Sequence, residues 1–289
     1  MSKKIEDLYR QIQKNLIKDI KSTRVSDVLT DIFIESTKFL DSFKRCELNS
    51  KIPGKKYFAF QYKNKISRAI NNTLYNPSID DWFALLRALR TGDFSSLSVK
   101  RISNVIYCLA ISFSAAIDLT KSGDQKTPGT FFEYLIGHLF AARLGVNPIT
   151  RLPVLNLDMN TNLPTDYVFD LGPNQAKFHL PIKTSTRERV IQVWAHQRVL
   201  DGVYGTGRFL GTPVILAETK TDTKKREVIE ICLPDQWRIY QMHIAQLKRI
   251  YYLDVPASYA RLNEVFPPLS VRPFGEFFLE VDTLISSPS

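Results

Sequence analysis

The sequence predicts an α/β protein, with a helical N-terminal region over residues 1–122 and a mixed-sheet region over residues 123–289. Three observations lead there. Apolar residues recur at three- and four-residue steps through the first ~120 positions. The stretch from Lys121 to Gly129 is polar and turn-rich, a candidate boundary. Beyond it, helical and strand-like patterns alternate, as they do when helices cover a central sheet.

Ile5, Leu8, Ile12, Leu16 and Ile20 form one stripe of a first amphipathic helix. Val28, Leu29, Ile32, Phe33, Phe39 and Leu40 mark a second, with Ser26 as its expected N-cap. Residues Asn49 to Lys65, carrying Pro53-Gly54 and several lysines, read as a basic loop or short hairpin. Ser78–Leu89 and Val99–Leu119 read as two further helices, the second apolar enough to be largely buried. The second region opens with a helix over Thr130–Leu144, stopped by Gly145 at the C-cap. Strands are expected at Thr165–Leu171 and Lys177–Thr184, joined by a turn centred on Pro173-Asn174. A helix over Thr186–Leu200 follows, then strands at Pro213–Glu218 and Glu227–Leu233. Asp235–Arg249 reads as a helix and Tyr251–Leu253 as a short strand. The strands are short and partly alternating, so the sheet is expected to be mixed.

Composition narrows the function. Of 289 residues, 44% are hydrophobic and 24% charged, an ordinary globular balance. The nearly apolar run Val105–Ile117 is shorter than the ~20 residues that cross a bilayer, so no membrane span is expected. The N-terminus lacks the apolar core of a secretory signal. Three widely spaced cysteines, Cys46, Cys108 and Cys232, make neither a disulfide framework nor a zinc site, so a reducing cytoplasm is expected. Thirty-nine Lys and Arg against 29 Asp and Glu give a net charge of +10, which points to a polyanionic partner, nucleic acid first. A merely solvated basic surface is the alternative. No Gly-rich phosphate loop, Gly-x-Ser-x-Gly or Cys-His pair is present, and the histidines lack metal-ligand spacing.

The segment with chemical content is Pro164-Thr165-Asp166 followed by Pro181-Ile182-Lys183. A hairpin turning at Pro173-Asn174 sets Asp166 opposite Pro181, Val168 opposite His179 and Asp170 opposite Lys177. Cross-strand partners share a face, so Asp166 is diagonal to Lys183 and within reach of it. Asp170 is several residues away along the ladder, which makes it the poorer partner. A carboxylate beside a lysine on one sheet face suits metal-assisted phosphodiester hydrolysis. The carboxylate can ligate a hard cation such as Mg²⁺, and the lysine can act on the attacking water. The same pair can equally be a solvated surface ion pair.

These residues resemble the core of the PD-(D/E)XK nuclease superfamily, and the wider segment resembles its type II restriction endonucleases. Pro164-Thr165-Asp166 stands in place of the Pro-Asp, and Pro181-Ile182-Lys183 in place of the acid-x-Lys, at a spacing the family shows. The helix containing Gly129-Thr130-Phe131-Phe132-Glu133 resembles one whose glutamate approaches the metal, and Lys183-Thr184-Ser185-Thr186-Arg187-Glu188-Arg189 resembles the entry to the following helix. The likeness covers about residues 126–255. It implies an α-β-β-β-α-β core, Mg²⁺ dependence and double-stranded DNA as substrate. It further implies a homodimer in the bacterial cytoplasm, with a cognate DNA methyltransferase as functional partner rather than bound subunit.

One position departs from the pattern. Pro181 stands where the family's second acid belongs, and its missing N–H suggests an open strand side or a local distortion. Glu133 is the first choice for a replacement acid and Glu188 the second; Asp170 is less suited. On this reading Asp166, Lys183 and Glu133 are catalytic, and Thr184, Ser185, Arg187, Arg189, Gln192 and His196 contact DNA. Each has a plainer alternative: Glu133 as a polar-face residue, Glu188 as a helix N-terminal carboxylate, the arginines as exposed charges. Gln192 and His196 can be satisfied surface groups. A repair or recombination nuclease, and a DNA-binding protein without cleavage, are the rival functions.

Overall fold

The structure, a computed structural model, describes residues 3–16, 19–121, 123–156, 159–173, 175 and 177–286; the side chains of residues 16, 155, 156, 159–161 and 188 lie outside that description. The first half runs α1 (Lys3–Leu16), α2 (Thr23–Asp41), β1 (Lys44–Ser50), β2 (Tyr57–Tyr62), β3 (Lys65–Ile66), β4 (Ile70–Asn71), α3 (Ile79–Thr91) and α4 (Val99–Thr120). The second half opens with α5 (Lys126–Leu144), β5 (Ile149–Asn156), β6 (Met159–Phe169), β7 (Lys177–Leu180) and β8 (Ile182–Lys183). A 3-10 turn at Arg187–Arg189 leads into α6 (Val190–Tyr204), followed by β9 (Phe209–Gly211), β10 (Val214–Ile215), β11 (Thr219–Asp222) and β12 (Glu227–Glu230). The chain ends with α7 (Pro234–His243), β13 (Ile250–Tyr252), α8 (Ala257–Ala260), β14 (Val271–Pro273) and α9 (Gly275–Ser286).

The helix ends follow capping chemistry. Ser78 accepts the N–H of Asp81 at 3.1 Å to start α3, and Gly145 ends α5 at φ 72°. The cap of α2 is Ser22 rather than Ser26. Ser26 lies one turn inside the helix, where its hydroxyl meets His138 Nε2 at 2.9 Å and ties α2 to α5.

The N-terminal half is not wholly helical. β1 and β2 pair antiparallel from Lys44↔Gln61 to Leu48↔Tyr57, and β3 and β4 extend from β2. Only Cys46 and Leu48 of β1 are buried, while the first four residues of β2 are buried on both faces. A weak alternation beside a short all-apolar run is the pattern that periodicity reads worst. β1 also pairs in parallel with β12, Asn49↔Glu227 and Ser50↔Val228, so this sheet runs β11-β12-β1-β2-β3 across both halves of the chain. The core crosses residues 122–123 as well: Phe113 of α4 stacks on Phe131 of α5 with ring centroids 3.9 Å apart.

α4 is longer than the apolar run suggests. At 22 residues it is long and apolar enough to cross a membrane, yet 89% of its most apolar stretch is buried inside the protein. Burial among α2, α3, α5 and α9, not shortness, accounts for its composition.

The second half holds the mixed sheet. β5 and β6 are antiparallel, as are β6 and β7, whereas β7 and β9 are parallel. The β6–β7 register is Tyr167↔Leu180, Val168↔His179 and Phe169↔Phe178, the register the sequence implies. Its expected turn centre, Asn174, lies outside the described residues. Pro181 separates β7 from β8, and β8 pairs in parallel with β10, which continues β9. The N–H groups of Thr212, Val214 and Leu216 donate to the carbonyls of His179, Pro181 and Lys183 at 2.8, 2.9 and 3.1 Å. The ladder therefore runs unbroken through the proline, and β13 and β14 extend it in parallel.

Candidate active site

Asp166 lies on β6, Lys183 on β8 and Glu133 on α5. The β6–β7 register brings the first two together across Pro181. Lacking an N–H, the proline follows the last residue of β7 paired with β6, and the next N–H, that of Ile182, donates to Asp166 Oδ2 at 2.7 Å. Lys183 Nζ donates to the same oxygen at 2.6 Å. The two side chains are 26% and 23% exposed, so the pair is reachable but partly desolvated.

Glu133 approaches from α5, which packs against β6 and β8. Burial pushes its carboxyl up to about 7; the negative charge of Asp166 adds to the rise and Lys183 opposes it. A close contact sets this approach. A Cβ built on Gly137, one turn beyond Glu133, would meet the Tyr167 ring at 2.5 Å, so glycine lets α5 lie directly on β6.

A pocket of about 310 Å³ opens at the pair, lined by Pro164, Thr165, Asp166, Pro181, Lys183, Gln192, Val193 and His196. Gln192 and His196, expected on a DNA-facing stripe of α6, thus face the Asp166 pocket. Burial holds the His196 imidazole below its usual range. Behind it lies His179, wholly buried and pushed down to about 4 by burial, its Nδ1 3.0 Å from Gln197 Oε1. Among the described residues the Thr165 hydroxyl and His179 Nε2 are buried without a hydrogen-bond partner.

The remaining expected residues separate. Asp170 pairs with Lys177 and accepts the Gly172 N–H at 3.0 Å, at the other end of the hairpin from Lys183. Arg187 and Arg189 are exposed on the 3-10 turn, and Thr184 and Ser185 lead into it. The side chain of Glu188 lies outside the described residues. Sequence reading missed Glu218, which is 1% exposed between β10 and β11, immediately before β11. Its carboxylate accepts from the Thr186 N–H at 3.0 Å, the Thr186 hydroxyl at 2.6 Å, the Ser185 hydroxyl at 2.9 Å and the Tyr252 hydroxyl at 3.0 Å. Glu218 thereby fixes the segment after Lys183. An acid at the end of an apolar strand was the only signal for it.

The donor chemistry fits a hard divalent cation. Asp166 and Glu133 are close enough to interact electrostatically, and burial first, then the Asp166 charge, raises the Glu133 carboxyl. No group of three His, Cys, Asp or Glu side chains at metal-binding distances occurs among the described residues. Mg²⁺ in general is held by one or two carboxylates and keeps several waters or substrate phosphate oxygens as its other ligands.

The chain matches no family model and no curated protein sequence. Among solved structures it resembles the type IIP restriction endonuclease Kpn2I at TM-score 0.78 and 24% identity, over 97% of this chain and 96% of that one. The chain has a restriction-endonuclease fold. A restriction endonuclease PspGI–substrate DNA complex aligns at TM-score 0.46 and 12% identity over 72% of this chain and 92% of that one. The likeness to Kpn2I covers 97% of the chain, N-terminal half included.

Proposed function

We propose that the protein is a Mg²⁺-dependent, sequence-specific double-strand DNA endonuclease of the restriction type. The observation that carries this is the Asp166–Lys183 contact at 2.6 Å beside the raised carboxyl of Glu133. Asp166 and Glu133 would hold Mg²⁺, which when bound polarises the phosphodiester and lowers the pKa of its water. Lys183 uses one of its three donors on Asp166 and keeps two for the attacking water and a non-bridging phosphate oxygen. Thr165, with an unspent buried hydroxyl beside Asp166, offers a further donor to that phosphate. The net charge of +10 and the exposed arginines of the 3-10 turn supply attraction for the DNA backbone. A two-fold symmetric site on the DNA matches a homodimer, and a methyltransferase that protects host DNA is its functional counterpart.

Pro181 and the two-acid site favour one second reading, a DNA-binding protein without cleavage. Unmethylated phage DNA incubated with the protein in Mg²⁺ and in EDTA separates the two. Discrete fragments that require Mg²⁺ are expected; intact DNA that is nonetheless retarded in a gel would overturn the nuclease in favour of the binding protein.

A further inference from the structure

A second and larger cleft, about 760 Å³, opens beside the segment that follows Lys183. Thr184, Ser185 and Arg187 line it, so it begins one residue beyond the Asp166 pocket. Its walls are the two ends of one sheet: Lys65 and Arg68 at the β3 end, and Thr219, Thr221, Lys224 and Arg226 on the β11–β12 hairpin. Because β3 and β11 are opposite ends of the order β11-β12-β1-β2-β3, the sheet curls into a trough. Thr219 and Thr221, two apart on β11, face the cleft, while Lys220 and Asp222 are exposed between and after them. That wall therefore presents hydroxyls and no carboxylate.

The acids in the cleft are each already paired or hydrogen-bonded, Asp118 with the cleft's own Arg68. Asp118 is held by Arg68 through two bonds of 2.8 and 2.9 Å, and Asp254 by Lys55 at 2.6 Å. Asp124 accepts the Thr127 N–H at 2.9 Å and its hydroxyl at 2.7 Å at the start of α5. Lys65, Arg187, Lys224 and Arg226 are exposed, and no ion partner for them occurs among the described residues. Cations thus stand on both walls and on the floor, with neutral hydroxyls between them and apolar side chains such as Ile66, Ile111 and Leu216 beneath. That pattern suits a chain of phosphates better than a compact anion or an apolar ligand.

We propose that this trough seats the sugar–phosphate backbone of duplex DNA, with Lys65 gripping it from the N-terminal half and Lys224 and Arg226 from the β11–β12 hairpin. The inference rests on the nuclease reading and extends it. Pairing of β1 with β12 makes the two walls one frame, so the N-terminal half becomes part of the DNA-binding surface rather than an appendage.

The test is the salt dependence of binding to a short, dye-labelled duplex of arbitrary sequence, read by fluorescence anisotropy in EDTA over a range of NaCl. Each lost phosphate contact flattens the slope of log K against log[salt] by about 0.9. A Lys65→Ala, Lys224→Ala, Arg226→Ala variant is expected to flatten it by about 2–3 and to weaken binding at least tenfold at moderate salt. Lys224→Glu, a single exposed turn change, is expected to act in the same direction. A control variant, Lys38→Ala, Arg87→Ala, Lys100→Ala, removes as many exposed cations far from the trough and is expected to keep the wild-type slope. Wild-type cleavage with unchanged slopes in both cleft variants overturns the trough and leaves the nuclease standing. A wild-type protein that neither binds nor cuts DNA overturns both.

Discussion

Replacing Glu133 by glutamine should stabilise the metal-free protein at alkaline pH and barely affect it at acid pH. The Glu133 carboxyl is raised from 4.5 to about 7, first by burial and then by the Asp166 charge. The folded state therefore holds this proton more tightly than the unfolded state. Stability is lost as pH rises through that interval, and the cost persists above it. Two and a half pH units correspond to about 3 kcal/mol at pH 8. Solvent screening at this partly exposed group reduces that to about 1.5 kcal/mol. At pH 5 the same arithmetic leaves only a few tenths of a kcal/mol. With about 0.6 kcal/mol/K of unfolding entropy for a chain of this length, Glu133→Gln should melt about 2–3 °C above wild type at pH 8 and level with it at pH 5. The assay is a thermal melt by circular dichroism in EDTA at both pH values. Added Mg²⁺ should then raise the wild-type Tm more than that of the variant, because the ion binds the native carboxylate pair. An equal melting difference at the two pH values, or a variant less stable than wild type at pH 8, would refute the buried, raised carboxyl of Glu133.

Three further outcomes follow from the same geometry. Gly137→Ala puts a methyl group into the Tyr167 ring, so it should cost about 1–3 kcal/mol by urea denaturation and slow DNA cleavage by moving α5, and Glu133 with it, off β6. Glu218→Ala leaves the Thr186 N–H and three hydroxyls without their acceptor and should cost about 3 kcal/mol, with Glu218→Gln recovering part of it in the same measurement. Asp170→Asn removes only the ion pair with Lys177, so it should change stability by less than about 1 kcal/mol and leave cleavage intact. A loss of cleavage in Asp170→Asn would mean that the wrong aspartate has been placed at the metal.

The legible parts of the sequence were those governed by short-range rules. Period-2 alternation and a turn at Pro173 fixed the β6–β7 register, and with it the diagonal between Asp166 and Lys183. Glu133 stands out because its helix resembles one whose glutamate approaches the metal, and it is the single acid of α5, which starts at Lys126 rather than the expected Thr130. The β1–β4 strands were harder, since β2 is apolar on both faces and β1 pairs with a strand far away in sequence. No local pattern encodes a contact between Asn49 and Glu227. Glu218 was hidden for the same reason: its partners, Ser185, Thr186 and Tyr252, meet only once the sheet is assembled. Ser26 was misplaced as a cap because its hydroxyl serves a tertiary contact with His138, and Ser22, which does cap α2, precedes the apolar stripe by a full turn. The role of Pro181 shows how a departure from a motif can be structural. It stands where an acid was expected, in a strand whose carbonyl ladder runs on through it, and Ile182 and Lys183 just beyond it both reach Asp166.

The central claim is that Lys183 acts on the bond that breaks. Single-turnover cleavage of a duplex cut by the wild-type protein, with Lys183→Ala in saturating excess and Mg²⁺ present, tests it most directly. The account predicts that the variant still retards the duplex in a gel while its cleavage rate falls by about 10²–10³-fold or more, the loss expected when a group stabilising the transition state is removed. Cleavage by Lys183→Ala at the wild-type rate would contradict it and would move the active site away from the Asp166 pocket.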